Sequence, residues 1–342
     1  MAFSTPSLTV LWNQVKSAGP AKTSVKKVVE GAYNDDPVFA FLKKNCLVDH
    51  DGAAIVTWPI RHSKRLGDYI QGGTPYSTTK PNDVTTAQLD IATLNAQAYW
   101  DWTEKLRNRG PEKIFNLIDE RMEELGKAMS RTRSAALYGT ATADVFGTTQ
   151  LDTSLVGLQT AVPDTVTSGA YANITRDSTA STDFFKNYTS NIGGAITKAA
   201  LSTAIRACSV GGYSPNLVVC GEEVFGYLHS LAATGNWLRQ NAEATDLGFP
   251  DNIELNGAAI VHTKFLTATS ANGELTTASG RIYILTVKKA CMELRVDPQD
   301  NMTVHEPIRV AGQLTWEQSC THTEQLCIKS PRNMGVLYGV TS

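Results

Sequence analysis

The residues best suited to chemistry in this sequence are six cysteines and six histidines. The grouping closest to a metal-ligand set is Cys320, His322 and Cys327. Cys320 and His322, two positions apart, share one face of a strand, but Cys327 projects from the other face if the strand is continuous, and the spacing matches no zinc signature. These residues therefore read as structural thiols and a core histidine. His50 and His62 flank an extended segment, and His229, His262 and His305 stand alone, with no nucleophile and carboxylate ordered as in any known triad. The Gly126-Lys127 pair is followed by Ala128 within a helical pattern, so it is not a phosphate loop. The chain contains no H-E-x-x-H, C-x-x-C, G-x-S-x-G or G-x-G-x-x-G. Asp35-Asp36 reads as a helix cap and Asp297 to Asp300 as a turn, since neither has the oxygen spacing of a calcium loop. The Asn-x-Thr triplets at Asn173, Asn187 and Asn301 are chance matches in a chain folded in a cytosol. The sequence points to no catalytic set, no metal site and no cofactor.

Composition narrows the remaining classes. The 342 residues are enough for about two domains. A hydrophobic content of 42% can build a core, while a charged content of 19% is low for a soluble protein. Thirty-one Lys and Arg against 33 Asp and Glu leave a net charge of -2, so no global positive field exists to hold nucleic acid through counterion release. The cysteines are too scattered for a disulfide framework and are expected to be reduced. No basic, apolar leader opens the sequence, and no run approaches the ~20 apolar residues of a membrane span. No membrane partner is expected.

The elements that would position any site are unevenly distributed. Residues 1–50 read as three short amphipathic pieces: one around Leu8, Leu11, Trp12 and Val15, one around Val25, Val28, Val29 and Ala32, and one opened by Asp36-Pro37. Helices this short need a surface to lie on, so the segment is an arm. Residues 53–63 and 83–100 are strand-like and enclose a polar, glycine-containing stretch, which predicts a long hairpin with a charged tip. Eleven extended residues reach ~36 Å, and a ribbon of that length is expected to rest on a neighbouring molecule. Pro111 opens the clearest helix, which runs to about Tyr138 with an apolar stripe of Ile114, Leu117, Ile118, Met122, Leu125 and Met129. Its length, ~42 Å, makes it a spine for other elements. Beyond residue 150 helices and strands mix. A helix carrying Leu201, Ala204, Ile205 and Cys208 ends at Gly211-Gly212, and a buried strand, NLVVC, leads through Gly221 into EEVFGYLHSL. The strands IELNGAAIVHT, RIYILTV and CMELRV follow, and a strand-rich tail stands apart after Pro307.

The central run carries a resemblance. Gly157-Leu158-Gln159, then Gly169, Tyr171, Ile174 and Arg176, then Phe185, Lys186 and Asn187 are similar to the central domain of tailed-bacteriophage major capsid proteins, the Hong Kong 97-type fold. Many members have Trp where this chain has Phe185. IELNGAAIVHT resembles the family's strand-Gly-Ala-Pro segment, with Ala259 in place of proline, and PRNMGVLYGV resembles its closing strand. The similarity runs in order over residues 50–340.

The resemblance implies an α+β capsid fold in five parts: an N-terminal arm (1–50), an extended β-hairpin loop with its return strand (51–100), a peripheral domain with the spine helix (101–150), an axial α/β domain (151–309) and a return to the peripheral domain (310–342). It implies a non-enzymatic protein that self-assembles as pentamers and hexamers into an icosahedral virion shell around double-stranded DNA, in the host cytoplasm. Trp58, Arg61, Lys64, Arg65 and Asp68 of the extended loop, and Leu11, Trp12 and Phe39 of the arm, are the expected intersubunit contacts. Lys26 and Lys27 are expected to touch packaged DNA weakly. Because the sequence begins directly with the arm, no scaffolding prodomain is expected in the chain, and a separate scaffolding protein, a portal and decoration proteins are the further partners. Some members cross-link a loop lysine to an asparagine near the C-terminus, a pairing for which Lys64 and Asn333 are the residues at hand. The alternatives are an encapsulin-like nanocompartment shell and a cytosolic α/β enzyme with an unrecognised site.

Overall fold

A computed structural model describes residues 36–50, 52–61, 84–101, 111–140, 155–166, 169–176, 185–267, 280–310 and 314–341. The elements begin with helix α1 (Pro37–Asn45), strands β1 (Leu47–Asp49), β2 (Ile55–Arg61), β3 (Val84–Asp90) and β4 (Ala92–Asp101), and helix α2 (Pro111–Leu137). Then come α3 (Leu158–Ala161), β5 (Ala170–Tyr171), β6 (Ile174–Thr175), β7 (Tyr188–Gly194), α4 (Lys198–Cys208), β8 (Leu217–Gly221), α5 (Glu222–Thr234) and α6 (Ala242–Asp246). Strands β9 (Ile253–Leu255), β10 (Ala258–Thr263), β11 (Ile282–Leu285), β12 (Met292–Val296), β13 (Thr303–Val304), β14 (Ile308–Arg309), β15 (Thr315–Ile328) and β16 (Gly335–Val340) complete the chain. Among the described residues no helix is long and apolar enough to cross a membrane.

Local chemistry accounts for the helices. Asp36 caps α1, its Oδ1 accepting from the Val38 N–H at 2.9 Å, and Pro37 occupies the first position, where no donor is needed. Lys43 and Lys44 lie in the last turn, beside the negative end of the helix dipole. Spine helix α2 has 27 residues and turns Met122, Leu125 and Met129 inward, toward β4. Thr197 caps α4 through the Ala200 N–H. Helix α5 starts at Gly221, where a Cβ would collide with the Leu266 carbonyl, so only glycine lets the strand turn into the helix there.

Strand β15 is the axis of the first sheet. Along one edge it pairs antiparallel with β4, from Thr315↔Asp101 to Glu324↔Ala92. Along the other it pairs in succession with β14, β13 and β12, and β1 adds parallel to β12. The second sheet has the order β7-β16-β11-β8-β10-β9. Its β9–β10 hairpin turns at Asn256-Gly257, both at positive φ, the two-residue turn whose twist matches the flanking strands. Strand β8 is buried on both faces, which is why NLVVC is apolar throughout. Val218 and Cys220 face α4 and α5, while Leu217 and Val219 face a core that also contains α1 and the end of α2.

Two expectations about the chain's layout change. The stretch 83–100 is not one return strand. It breaks at Ile91, whose N–H donates to Ala54 O, so that β3 pairs with β2 while β4 leaves to join β15. The anticipated boundary at 309/310 does not divide the sheets either. Strands β12, β13 and β14 already belong to the first sheet, and β16 returns to the second, between β7 and β11.

Candidate functional site

The β2–β3 ribbon is the most directional feature of the described fold. Its register runs from Ile55↔Asp90 to Arg61↔Val84. The period-2 alternation sends Val56, Trp58 and Ile60 inward and leaves Ile55, Thr57 and Pro59 exposed. Ala87 of β3 completes the inward face, which shares one buried apolar cluster with Tyr171 and Ala172 of the same chain. At the root, the Gln88 N–H donates to Ala172 O at 3.1 Å and Gln325 Nε2 donates to Asp90 O at 2.7 Å. Gln325 Oε1 in turn accepts from the Val156 N–H at 3.2 Å. The ribbon is thus fastened to β15 and to the segment that follows the spine.

Beneath it lies the two-residue hairpin β5–β6. Its tip residues, Ala172 and Asn173, have φ of 53° and 61°, a left-handed conformation that suits Asn and costs a methyl-bearing Ala about 1 kcal/mol. Ala172 is nevertheless buried under the ribbon. Tyr171 Oη donates to Leu326 O at 3.1 Å and accepts from the Ile328 N–H at 3.0 Å. Strand β4 begins only at Ala92, opposite Glu324, so beyond that pair a side chain satisfies backbone groups on this edge of β15. Arg176 is buried and donates to Thr160 O at 2.9 Å, Ala161 O at 2.7 Å and Phe185 O at 3.3 Å. Its guanidinium lies 5.7 Å from the Tyr171 ring and 5.6 Å from the Phe185 ring. Burial lowers its pKa to about 10, so it stays charged. Asn187 Nδ2 donates to Pro163 O at 2.9 Å, and Gly157 sits where a Cβ would strike the Gly139 and Ala136 carbonyls. Of the residues that carried the resemblance, Gly157, Tyr171, Arg176 and Asn187 thus hold together the segment that follows the spine, while IELNGAAIVHT and PRNMGVLYGV supply strands of the second sheet.

A second buried polar group joins spine and sheet. Arg133 Nε and NH2 each meet a Glu324 oxygen at 2.6 Å, and the guanidinium stands 4.0 Å over the Phe39 ring. His322 Nδ1 accepts from the Met302 N–H at 3.3 Å, which assigns its proton to Nε2, 3.1 Å from Glu324 Oε2. Burial alone would raise the Glu324 carboxyl, but Arg133 and His322 outweigh it and bring the pKa to about 2. A cavity of about 150 Å3 opens beside the pair, lined by Ala92, Leu94, Thr132, Ala136 and Leu155. Asp36 shows the opposite balance. Its carboxylate accepts from Tyr138 Oη at 3.1 Å and Thr263 Oγ1 at 3.3 Å, joining α1, the end of α2 and β10, yet burial outweighs these donors and raises its pKa to about 6.

These polar groups join elements of the fold to one another. All six cysteines are free and buried, and burial pushes the thiol of Cys208 up to about 12, away from nucleophilic use. Cys320 and His322 do share the buried face of β15, but no group of three potential ligands lies within reach of one metal ion among the described residues.

The expected contact residues divide. Phe39 and Trp58 are buried within their own chain, at 0% and 2% exposure, so neither side chain is free for a neighbour. Their apolar faces are satisfied at home, which corrects the expectation that the whole ribbon rests on another molecule. Arg61 ends β2 opposite Val84. Leu11, Trp12, Lys26, Lys27, Lys64, Arg65 and Asp68 lie outside the described residues. Asn333 is buried, and its Nδ2 donates to Val210 O at 2.8 Å and Cys208 O at 3.2 Å, organising the turn after α4 instead of presenting an amide for cross-linking. Sequence reasoning missed Arg133, Glu324 and Gln325. Arg133 carried a signal, since it falls four residues after Met129 on the buried stripe. Gln325 carried none.

No family model and no curated protein matches the sequence. The structure does match solved ones. The capsid asymmetric unit of cyanophage A-1(L) is 14% identical with a TM-score of 0.63, covering 90% of this chain and 93% of that one. The capsid of a native GTA particle is 11% identical with a TM-score of 0.58, covering 88% and 90%. The capsid of Myoviridae phage XM1 is 15% identical with a TM-score of 0.53, covering 88% and 91%. Arm helix, ribbon, spine and two sheets together form the Hong Kong 97-type capsid fold.

Proposed function

We propose that this chain, which has the fold of tailed-phage capsid subunits, is a major capsid protein that self-assembles into an icosahedral shell around double-stranded DNA. The observation that carries the reading is the structural match over nine-tenths of the chain to a capsid subunit. The role is structural, not enzymatic. Copies of the chain join as pentamers and hexamers, with a separate scaffolding protein, a portal and decoration proteins as further partners. The shell assembles in the host cytoplasm and resides in the virion. A net charge of -2 suits a container wall, because a wall gripping many phosphates would oppose packing and release.

Within this reading the ribbon engages a neighbouring subunit through Arg61, Lys64, Arg65 and Asp68, and the arm does so through Leu11 and Trp12. Lys26 and Lys27 make weak contacts with DNA. Exposed ion pairs are worth only about 0–1 kcal/mol each, so the loop charges set register rather than affinity. Electron microscopy of the purified recombinant protein tests the proposal: closed shells are expected, and a chain that stays monomeric at every concentration, with or without scaffold, refutes it. Native particles filled with protein instead of nucleic acid would turn the reading to a nanocompartment. Arg65→Glu is expected to reduce shell yield without unfolding the subunit, and normal shells from it would remove Arg65 from the contact.

A further inference from the structure

We infer that the β5–β6 hairpin, clamped by Tyr171 and Arg176, is a shelf that sets the angle at which the β2–β3 ribbon leaves the body of the chain. The consequence for neighbouring copies rests on the shell reading above; the shelf itself does not.

Three observations converge. Ala172, at the hairpin tip, holds a left-handed conformation and is buried beneath the ribbon, accepting the Gln88 N–H. Backbone held in a sparsely populated region persists only where its surroundings over-determine it. The surroundings here are the Tyr171 hydroxyl, inserted into the end of β15, and the Arg176 fork, spread over three carbonyls. An arginine without a carboxylate at hydrogen-bond distance among the described residues is an expensive way to pin a loop. Its planar, multi-donor geometry supplies direction, which a packed aliphatic side chain would not. Finally, among the described residues Gln325 Nε2 holds Asp90 O at the ribbon's root, the Ile91 N–H to Ala54 O bond only joins the ribbon's own two strands, and the Gln88 N–H to Ala172 O bond ties the ribbon to the hairpin. Arg176 acts through Tyr171 and Ala172, not by touching a neighbour, and is therefore a positioning residue.

The test is an intrachain distance. Because the native thiols are all buried, cysteines introduced by Thr86→Cys on the outer face of the ribbon and Ala233→Cys on α5 can be spin-labelled selectively. Labelled chains are diluted with unlabelled ones so that pulsed electron paramagnetic resonance reads only pairs within a chain. The expected result is one narrow distance in the parent and its loss to a broad distribution in Arg176→Lys, which keeps the charge but not the fork. A control pair, Thr203→Cys with Ala233→Cys, should not change. Tyr171→Phe, which removes only the hydroxyl that clamps the hairpin to β15, should also broaden the ribbon distance, and it decides the matter if Arg176→Lys does not fold. An unchanged ribbon distance in a folded variant overturns the shelf. If the distances respond but the parent forms no shells, the shelf stands and the shell reading falls. If variants with broadened ribbons still build shells of parental size and yield, the shelf's role in placing neighbours is overturned.

Discussion

The helical side of the second sheet and the seam between the spine and the first sheet are equally buried but differently built. The former is lined by Leu201, Ile205, Val218, Leu228, Ile260, Ile284 and Leu337, with no buried charged side chain among the described residues. The latter buries Arg133, Glu324, His322, Gln318 and Gln325 beside its apolar residues. Apolar packing is non-directional, and such cores tolerate substitution if volume is kept. A buried polar network accepts few geometries, because each unpaired member is costly. The compact α/β unit is thus held by the amount of surface it removes from water, and the spine seam by the orientation it demands.

Four measurements can break or sharpen that contrast. Arg133→Met should cost about 3–5 kcal/mol in chemical denaturation, because it strands the Glu324 carboxylate, whereas adding Glu324→Leu should recover most of the loss. If the double variant is no better than the single, the seam is held by packing and the contrast fails. Leu228→Ala should cost about 2–5 kcal/mol and should add to the seam variants, since the two sites share no partner. The third is a pH series. Glu324, lowered from 4.5 to about 2, contributes stability that is present above pH 4.5 and lost as pH falls through about 2. Asp36, raised from 3.8 to about 6, contributes stability that is present below pH 3.8 and lost as pH rises through about 6. Each shift corresponds to about 3 kcal/mol. Asp36→Asn keeps a capping side chain but cannot ionise, so it should flatten the stability profile between pH 4 and 6. A profile identical to the parent's would show that Asp36 does not titrate there. Smallest, Thr197→Ala should lower the stability of the α/β unit by about 1 kcal/mol, the cost of an uncapped helix start, seen as a small shift of the thermal midpoint.

The same contrast governs what could be read in the sequence. Spine helix α2 was legible to within a residue, Pro111–Leu137 against 111–138, because periodicity, a leading proline and ordered charges agree over many turns. The Asp36 cap, the buried NLVVC strand and the Gly221 turn into α5 were legible for similarly local reasons. Strand β15 was legible as a strand with core thiols and a core histidine, but the burial of its polar Gln318, Glu324 and Gln325 was not, because it depends on partners such as Asp90, 235 positions away from Gln325. The break at Ile91 was invisible for the same reason, alternation being unchanged as the chain moves from one partner strand to another. Phe39 and Trp58 were recognised as apolar contact residues but assigned to the wrong surface. Periodicity reveals that a face must be covered, not which molecule covers it. Of the candidate site, Tyr171 and Arg176 stood out by resemblance, while the hydrogen bonds that make them a platform depend on tertiary placement.

Strands β15 and β16 have a consequence for the order of events during synthesis. Each lies inside a different sheet, and both follow every other described element in sequence, at Thr315–Ile328 and Gly335–Val340. Neither sheet can close until those residues have emerged, and Gln325 and Leu326, which hold the ribbon and Tyr171, arrive with them. Pairings this distant in sequence form late, after loop-closure entropy has been met. A chain that lacks residues 315–340 accordingly lacks the Gln325 and Leu326 contacts at the ribbon root and at Tyr171. The arrival of residues 315–340 thereby gates the fixing of the ribbon.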